Sequence, residues 1–339
     1  MDFRIKPMDQ IAILLKTFKD DLAYVDRLIK SYNKYNQDNI PLHLVAPQQD
    51  LVYFKKISNG NINFHSDESV TKDLVSDNRV RGIRPGYINQ EIIKLAFWEK
   101  RLCKNYFCMD SDGVFIRNFF KSDFMYNHTV PYTILVEDKE LAVDPEYYKT
   151  HWKGREKLIR KIQEEIGLTD KRMLTCHAFA IFSCKVLESF YQNYLTLNNY
   201  TYKDILKISP YEFSWYNMWL QKDKTIPVEF KEPLIKFFHN QTQHQDYIRK
   251  KIKIKDIARG YIGININSNY SRGYGVVSYQ DGDIYVMTSS DIITSLKKII
   301  QSIRIHIKRK LTSYAKIQPL IKKIKKFSIN NSHASGDKI

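Results

Sequence analysis

The chain has 339 residues, of which 43% are hydrophobic and 13% aromatic, with a net charge of +17 at neutral pH. That length and apolar content suffice for a sizeable core and exclude an intrinsically disordered chain. No uninterrupted apolar run approaches the ~20 residues of a membrane span, and the four cysteines form no C-x-x-C pair and no secreted disulfide framework.

The charge is unevenly spread. From Ile292 to Gly336 there is no acidic residue and there are eleven Lys and Arg. A basic excess of this kind implies an anionic partner. Met1 to Gln10 carries charges and a proline and no apolar core, so no signal peptide is expected.

Ile11 to Leu15 is a continuous apolar run that ends at Lys16-Thr17-Phe18-Lys19-Asp20-Asp21, as a buried parallel strand does. A helix pattern follows, with Leu22, Val25, Leu28 and Ile29 on one face. Pro41 to Pro47 predicts a second strand and Ile62 to His65 a third. This alternation predicts an α/β fold with a parallel central sheet. Ligands of such sheets bind outside the carboxyl ends of the strands. Thr17, Phe18, Asp20, Asp67 and Glu68 occupy those ends.

Arg79, Arg81 and Arg84 fall within six positions and suit a diphosphate clamp or a solvated basic loop. A helix is predicted from about Ile88 to Lys100, with Gln90, Lys94 and Trp98 on one stripe. Lys94 either pairs with Glu91 or reaches a substrate. Asn105 to Met109 is an apolar run that stops at Asp110-Ser111-Asp112-Gly113. Carboxylates at i and i+2 of an extended chain point to the same side and can approach one hard cation through oxygen. The alternative is an ordinary strand-end turn.

Lys153 to Ile166 reads as a charged helix closed by Gly167, and Met173 to Phe182 as an apolar strand that carries His177. A lone histidine in such a run is more often a satisfied core residue than a ligand. Ser209-Pro210-Tyr211-Glu212 has the form of a capping box opening a helix rich in aromatics. His239 and His244 flank Asn240 to Gln243. Gly275 to Gln280 and Asp283 to Met287, joined by Asp281-Gly282, predict a hairpin. From about Asp291 to Phe327 a basic amphipathic helix is expected, broken at Pro319.

Three stretches together carry a resemblance. They are Leu15-Lys16-Thr17-Phe18 with Asp20 or Asp21, Gly86-Tyr87-x-x-Gln90-x-x-x-Lys94-Leu95, and Cys108-Met109-Asp110-Ser111-Asp112. The chain resembles, over roughly residues 10 to 220, bacterial GT-A-type glycosyltransferases of a poorly characterised group associated with surface polysaccharides. Glu91 stands where that group usually has a second Gln. The resemblance implies a GT-A-like, Rossmann-type sheet, a nucleotide-sugar donor (a UDP-sugar foremost) and Mn²⁺ or Mg²⁺. It implies that Asp112 binds the metal and that Asp110 contacts the donor ribose or a metal-bound water, with Ser111 between them in the donor site. It puts Thr17 and Phe18 near the base, Gln90 and Lys94 near the sugar or phosphates, and a substrate role on His177. A third metal ligand from late in the chain would be His239 or His244.

The expected organisation is a nucleotide-sugar half over 1–145, an acceptor half over 146–290 and a basic helical tail over 291–339. Glu212 is the expected general base of an inverting transfer, with His177 as another catalytic candidate. The acceptor is expected to be a glycan or lipid-linked glycan of a capsule, lipopolysaccharide or other surface polymer. The tail is expected to meet an anionic membrane, which makes the protein cytoplasmic and peripheral to the inner face of a bacterial inner membrane. Two rivals are a sugar nucleotidyltransferase and a basic nucleic-acid-binding protein without catalysis. The first lacks its Gly-rich phosphate loop after strand one. The second should interleave basic and aromatic residues over the whole fold. Here eleven of the 17 net positive charges gather in one tail, so no nucleic-acid partner is expected.

Overall fold

The structure is a computed structural model. It describes residues 8–267 except 59, 77–78, 137–144, 171, 177, 240–242, 244–245 and 248, together with 278–280 and 283–286. The contacts divide the chain into two compact units, Met1–Asn267 and Ser268–Ile339.

The first unit is built on a five-stranded sheet. β1 (Ala12–Lys16), β2 (Leu42–Ala46), β3 (Ile62–Ser66) and β4 (Asn105–Asp110) are its parallel strands. β5 (Gly113–Phe115) and β6 (Tyr132–Thr133) follow, and β7 (Ile181–Ser183) closes the sheet antiparallel to β4. The order is β3-β2-β1-β4-β7. β1 and β2 are buried along their whole length, because continuous apolar runs satisfy both faces of a covered sheet. The α/β class and the parallel central sheet expected from the sequence are what the chain forms.

Helices supply the covering layers. α1 (Leu22–Tyr35) buries Val25, Leu28, Ile29 and Tyr32. α2 (Leu51–Ile57) and the single turn α3 (Asp67–Val70) connect the edge strands. α4 (Pro85–Ala96) starts with Pro85 in its first turn, where the missing N–H costs nothing, and buries Ile88, Ile92, Ile93 and Leu95. The predicted end of this helix, Phe97–Lys100, is a tighter 3₁₀ turn. α5 (Lys121–Phe124) is a short turn, and α6 (Pro145–Ile166) ends at Gly167, whose φ of +66° suits glycine. α7 (Cys184–Phe190), α8 (Tyr202–Ile208) and α9 (Glu212–Asp223) complete the set used below.

The apolar run from Met173 to Phe182 is not one strand. Among the described residues of this stretch the ladder to β4 is made by Ile181–Ser183, and Phe179 takes a left-handed φ of 60° that breaks the extended run.

A second sheet sets the far side of the site. β8 (Glu229–Phe230) pairs with β6, while β9 (Ile235–Phe238) and β10 (Gly263–Ile266) join β5 in the order β5-β10-β9. β10 runs antiparallel to β5 and parallel to β9. Gly263 permits the close approach: a Cβ there would lie 2.7 Å from the Val114 carbonyl oxygen and 2.6 Å from Ile235 Cδ1.

In the second unit β11 (Ser278–Gln280) and β12 (Asp283–Val286) pair antiparallel, which is the predicted hairpin. The expected basic helix from residue 291 lies outside the described residues. Among the described residues no helix is long and apolar enough to cross a membrane.

Candidate active site

β1 and β4 are neighbours with Lys16 opposite Asp110, so the last residues of both emerge together at the carboxyl edge of the sheet. Asp110 is the last residue of β4 and half-buried. Two side chains of α4 meet it. Gln90 Nε2 donates to Asp110 Oδ1 at 3.3 Å, and Lys94 Nζ lies 3.2 Å from the same oxygen. They reach it because positions 90 and 94 fall one turn apart on one helix face.

Lys94 also donates to Glu212 Oε1 at 3.0 Å, and its ammonium sits 4.7 Å from the Phe213 ring centre. Only 3% of Lys94 and 4% of Glu212 is exposed, so this ion pair stands in the interior. The sequence left open whether Lys94 pairs with Glu91 or reaches further. Its hydrogen bond goes to Glu212, 118 positions along the chain.

Electrostatics separate the three acids around Lys94. Burial by itself would depress the Lys94 ammonium, but Asp110, Glu212 and Glu91 outweigh it and hold its pKa well above the ordinary lysine value. Burial also resists ionisation of Glu212, yet Lys94 and a hydrogen bond from Glu91 keep that carboxyl below its ordinary value. Glu91 is pushed well up, first by burial and then by the Glu212 charge. Glu91 is therefore the neutral acid and Glu212 the carboxylate. The second oxygen of Glu91 is buried with no hydrogen-bond partner among the described residues.

The capping box predicted at Ser209 to Glu212 does not form. α9 begins at Glu212 with Tyr211 as its N-cap, and the Ser209 N–H closes α8 by donating to the Ile205 carbonyl. Glu212 therefore spends its carboxylate on Lys94.

These groups line a cavity of about 160 Å³. Tyr87, Tyr211, Phe213 and Phe237 give it aromatic walls, and Arg155 enters from α6. Arg155 is buried, donates to the Cys176 carbonyl at 3.0 Å and lies 4.4 Å from the Tyr211 ring centre. A cavity with aromatic faces and a few convergent charged groups is the form of a small polar-ligand site.

The second half of the Asp-Ser-Asp turn leans the other way. Ser111 Oγ donates to Asp21 Oδ2 at 2.7 Å, which ties the turn to the start of α1. Asp112 Oδ1 accepts from the side-chain amide of Asn265 on β10. Asn265 pairs with Gly113 on one side and Phe237 on the other. Asp112 and His239, which follows β9, thus stand at the same end of the second sheet. His239 is buried, its ring 4.3 Å from that of Phe237, and its backbone N–H donates to Gln243. Among the described residues no three His, Cys, Asp or Glu side chains gather closely enough to hold a metal ion by themselves.

A further cluster lies at the ends of β1 to β3. Lys16 Nζ is 3.1 Å from Asp67 Oδ2 and donates to the Thr17 carbonyl at 2.8 Å. Asp50 accepts from the Lys19 backbone N–H. Thr17 is buried and its hydroxyl has no hydrogen-bond partner among the described residues, while Phe18 beside it is half-buried. Arg84 is exposed at the N-cap of α4. Arg79 and Arg81 donate to the carbonyls of Gly82 and Lys207. His177 and His244 lie outside the described residues.

The structure thus brings together Gln90, Lys94, Asp110 and Glu212, with Ser111 and Asp112 turning away beside them. The sequence gives no role to Arg155, Phe237 or Asn265; it shows Tyr87 only as the aromatic of the Gly86-Tyr87 stretch, and Glu91 as a departure and a candidate partner of Lys94. Arg155 gave no signal inside a charged helix pattern. Asn265 sits in Gly263-Ile264-Asn265-Ile266, where one polar residue in a buried strand was a readable signal.

No curated protein matches the sequence. Several solved structures are similar in fold. The apo structure of the bifunctional glycosyltransferase WbbM is 11% identical with a TM-score of 0.46, over 85% of this chain and 49% of that one. This chain therefore spans about half the length of that protein. Mouse xyloside xylosyltransferase 1 in its apo form is 10% identical with a TM-score of 0.42, over 77% and 98%. The galactosyltransferase LgtC, solved with donor and acceptor sugar analogues, is 10% identical with a TM-score of 0.39, over 76% and 87%. Residues 8–246, well over half of the chain, match the family described as "Family of unknown function (DUF6492)", and the chain belongs to that family.

Proposed function

We propose that this protein is a glycosyltransferase that moves a sugar from a nucleotide-sugar donor, a UDP-sugar foremost, to a glycan or lipid-linked glycan acceptor of a bacterial surface polymer. The observation that carries the reading is the placement of Asp110 at the carboxyl edge of the parallel sheet, in the lining of a small cavity with Lys94, Glu212 and aromatic rings, with Asp112 two residues further on. The resemblance of three sequence stretches to GT-A-type enzymes supports it independently. A nucleic-acid-binding role has no comparable support, because these charged groups converge on a small cavity and not on a broad basic face.

The residues fit Mn²⁺ or Mg²⁺. Asp112 and Asp110 offer carboxylate oxygens, and Asn265 holds a buried amide oxygen without a partner among the described residues next to Asp112. Such ions bind through one or two carboxylates and complete their shell with water and substrate phosphates, so a full protein cage is not required. Asp112 would be the main ligand, Asp110 the second, and His239 or His244 a third. When bound, the ion neutralises the departing diphosphate.

The protein's own groups supply the rest. Thr17 and Phe18, just past the end of β1, would contact the base, and Arg84, exposed at the N-cap of α4, would meet the donor. Ser111 fixes the turn. Lys94 and Gln90 hold Asp110 in place. Glu212 is kept ionised by Lys94, so it has no proton of its own and can take one from an acceptor hydroxyl entering the cavity. That chemistry is an inverting transfer.

The test is a panel of nucleotide sugars incubated with the protein and Mn²⁺ and scored for nucleotide release. Release from none of them, with chelated and metal-loaded protein alike, removes the reading. With an active donor in hand, Glu212→Gln is expected to slow transfer by roughly 10²–10⁴ while the melting transition survives, since Asp110 still faces Lys94. Transfer at close to the wild-type rate would exclude Glu212 as the base and turn attention to His177.

The acid-free stretch after Asp291 is complementary to an anionic membrane, and each Lys or Arg near such a surface contributes about 1 kcal/mol. Deleting it is expected to release the protein from anionic vesicles, as added salt would. Unchanged vesicle binding after deletion would place the anchor elsewhere.

A further inference from the structure

We infer that Asn265 is a positioning residue of the cation site. Its amide N–H holds Asp112, and its amide oxygen accepts a hydrogen bond from a water of the bound divalent ion. The inference rests on the metal-dependent reading above.

Asn265 is completely buried in the middle of β10, between β5 and β9. A buried polar side chain in a sheet interior is costly unless both ends of its amide are used. One end is used: Nδ2 donates to Asp112 Oδ1 at 2.5 Å. A carboxylate only accepts, which fixes the amide with its nitrogen toward Asp112. The other end is not used, since Oδ1 is buried with no hydrogen-bond partner among the described residues. The missing partner must therefore be a donor, and it must stand close to Asp112.

A hydrated divalent ion supplies such donors. Mg²⁺ keeps several of its waters when it binds to carboxylates, and each metal-bound water is a hydrogen-bond donor. The side chain at 265 also explains itself by exclusion. Asp at this position would oppose Asp112 with like charge, and Leu would remove the amide N–H that Asp112 accepts from. Carboxylates that bind metals are themselves held by hydrogen bonds, and removal of such a holder typically weakens metal affinity 10- to 100-fold.

The experiment is a Mn²⁺ titration of the full chain, with free Mn²⁺ followed by electron paramagnetic resonance, in the absence and presence of uridine diphosphate. Melting temperature without metal checks folding. Asn265→Ala is expected to bind Mn²⁺ about 10- to 100-fold more weakly while it still melts cooperatively. Asn265→Asp is expected to melt at a lower temperature than wild type without metal and to gain more from Mn²⁺ than wild type does. Its new carboxylate is repelled by Asp112 until a cation joins them.

A cooperatively folded Asn265→Ala with wild-type Mn²⁺ affinity overturns the inference and leaves the metal-dependent reading intact. Should Asn265→Ala fail to fold, Asn265→Asp decides: a Mn²⁺-induced rise in melting temperature no larger than wild type's overturns the inference equally. If wild type itself binds no Mn²⁺ even with uridine diphosphate, the metal-dependent reading falls, and the inference with it.

Discussion

Asp112→Asn is expected to abolish Mn²⁺-dependent nucleotide binding and turnover and to leave the fold in place. Of the two carboxylates in the turn, Asp110 is already engaged by Lys94 and Gln90. A positive ammonium 3.2 Å from one of its oxygens leaves Asp110 the weaker attractor for a second cation. Asp112 accepts from the neutral side-chain amide of Asn265 and carries its carboxylate at the second sheet's edge of the turn. An asparagine in its place has the same shape, and its amide oxygen can still accept from Asn265. It cannot neutralise a cation bound to a diphosphate. We expect affinity for nucleotide in the presence of Mn²⁺ to fall by at least about 100-fold, with affinity in chelator unchanged. Parallel titrations of wild type and variant, with and without Mn²⁺, measure this. Equal wild-type activity in chelator, or full activity in the variant, would remove the ion from the mechanism.

Much of this site could be read from the chain because its parts are local. Strand ends announce themselves where an apolar run meets charge, so Lys16, Thr17 and Asp110 mark an edge in the sequence itself. Gln90 and Lys94 could be placed on one stripe because helix geometry fixes positions four apart. What joins those local pieces was not legible. The bond from Lys94 to Glu212 crosses 118 positions, and no spacing rule covers that distance. Local chemistry even misdirected the reading at Glu212, where a capping signature was present and tertiary pairing with a buried lysine won. The likeness of Met173 to Phe182 to a strand failed in the same manner. Periodicity sees apolar residues, while the turn at Phe179 is a property of the backbone. Asn265 shows the opposite case. A lone polar residue within a buried strand is a signal, but only the register of β10 beside β5 gives it a meaning.

Lys94→Met is expected to be the most destabilising single change in the site. The side chain is 3% exposed, and its ammonium is shared by Glu212 at 3.0 Å and Asp110 at 3.2 Å. Methionine keeps a similar length and helix propensity and still packs on the Phe213 ring, so the loss is one of charge. Removing one partner of a buried pair typically costs about 3–5 kcal/mol, because the other charge is left in the interior. The pH dependence gives the sign. In the wild type Lys94 keeps Glu212 below the ordinary glutamate value of 4.5. That contribution is present above the unfolded pKa and is lost as pH falls through the lower, folded one. Without Lys94 only the burial and the neighbouring acids remain, and they raise the Glu212 pKa. The variant's contribution is then present below the unfolded value and lost as pH rises through the folded one. The stability gap between the two proteins should accordingly narrow as pH falls from 7 to 5. Urea denaturation at both pH values measures the gap. A double change, Lys94→Met with Glu212→Gln, should recover much of the loss at pH 7, since it removes the stranded charge. A gap below about 1 kcal/mol at pH 7, or one that stays constant down to pH 5, would mean that Lys94 does not hold these carboxylates in the folded protein.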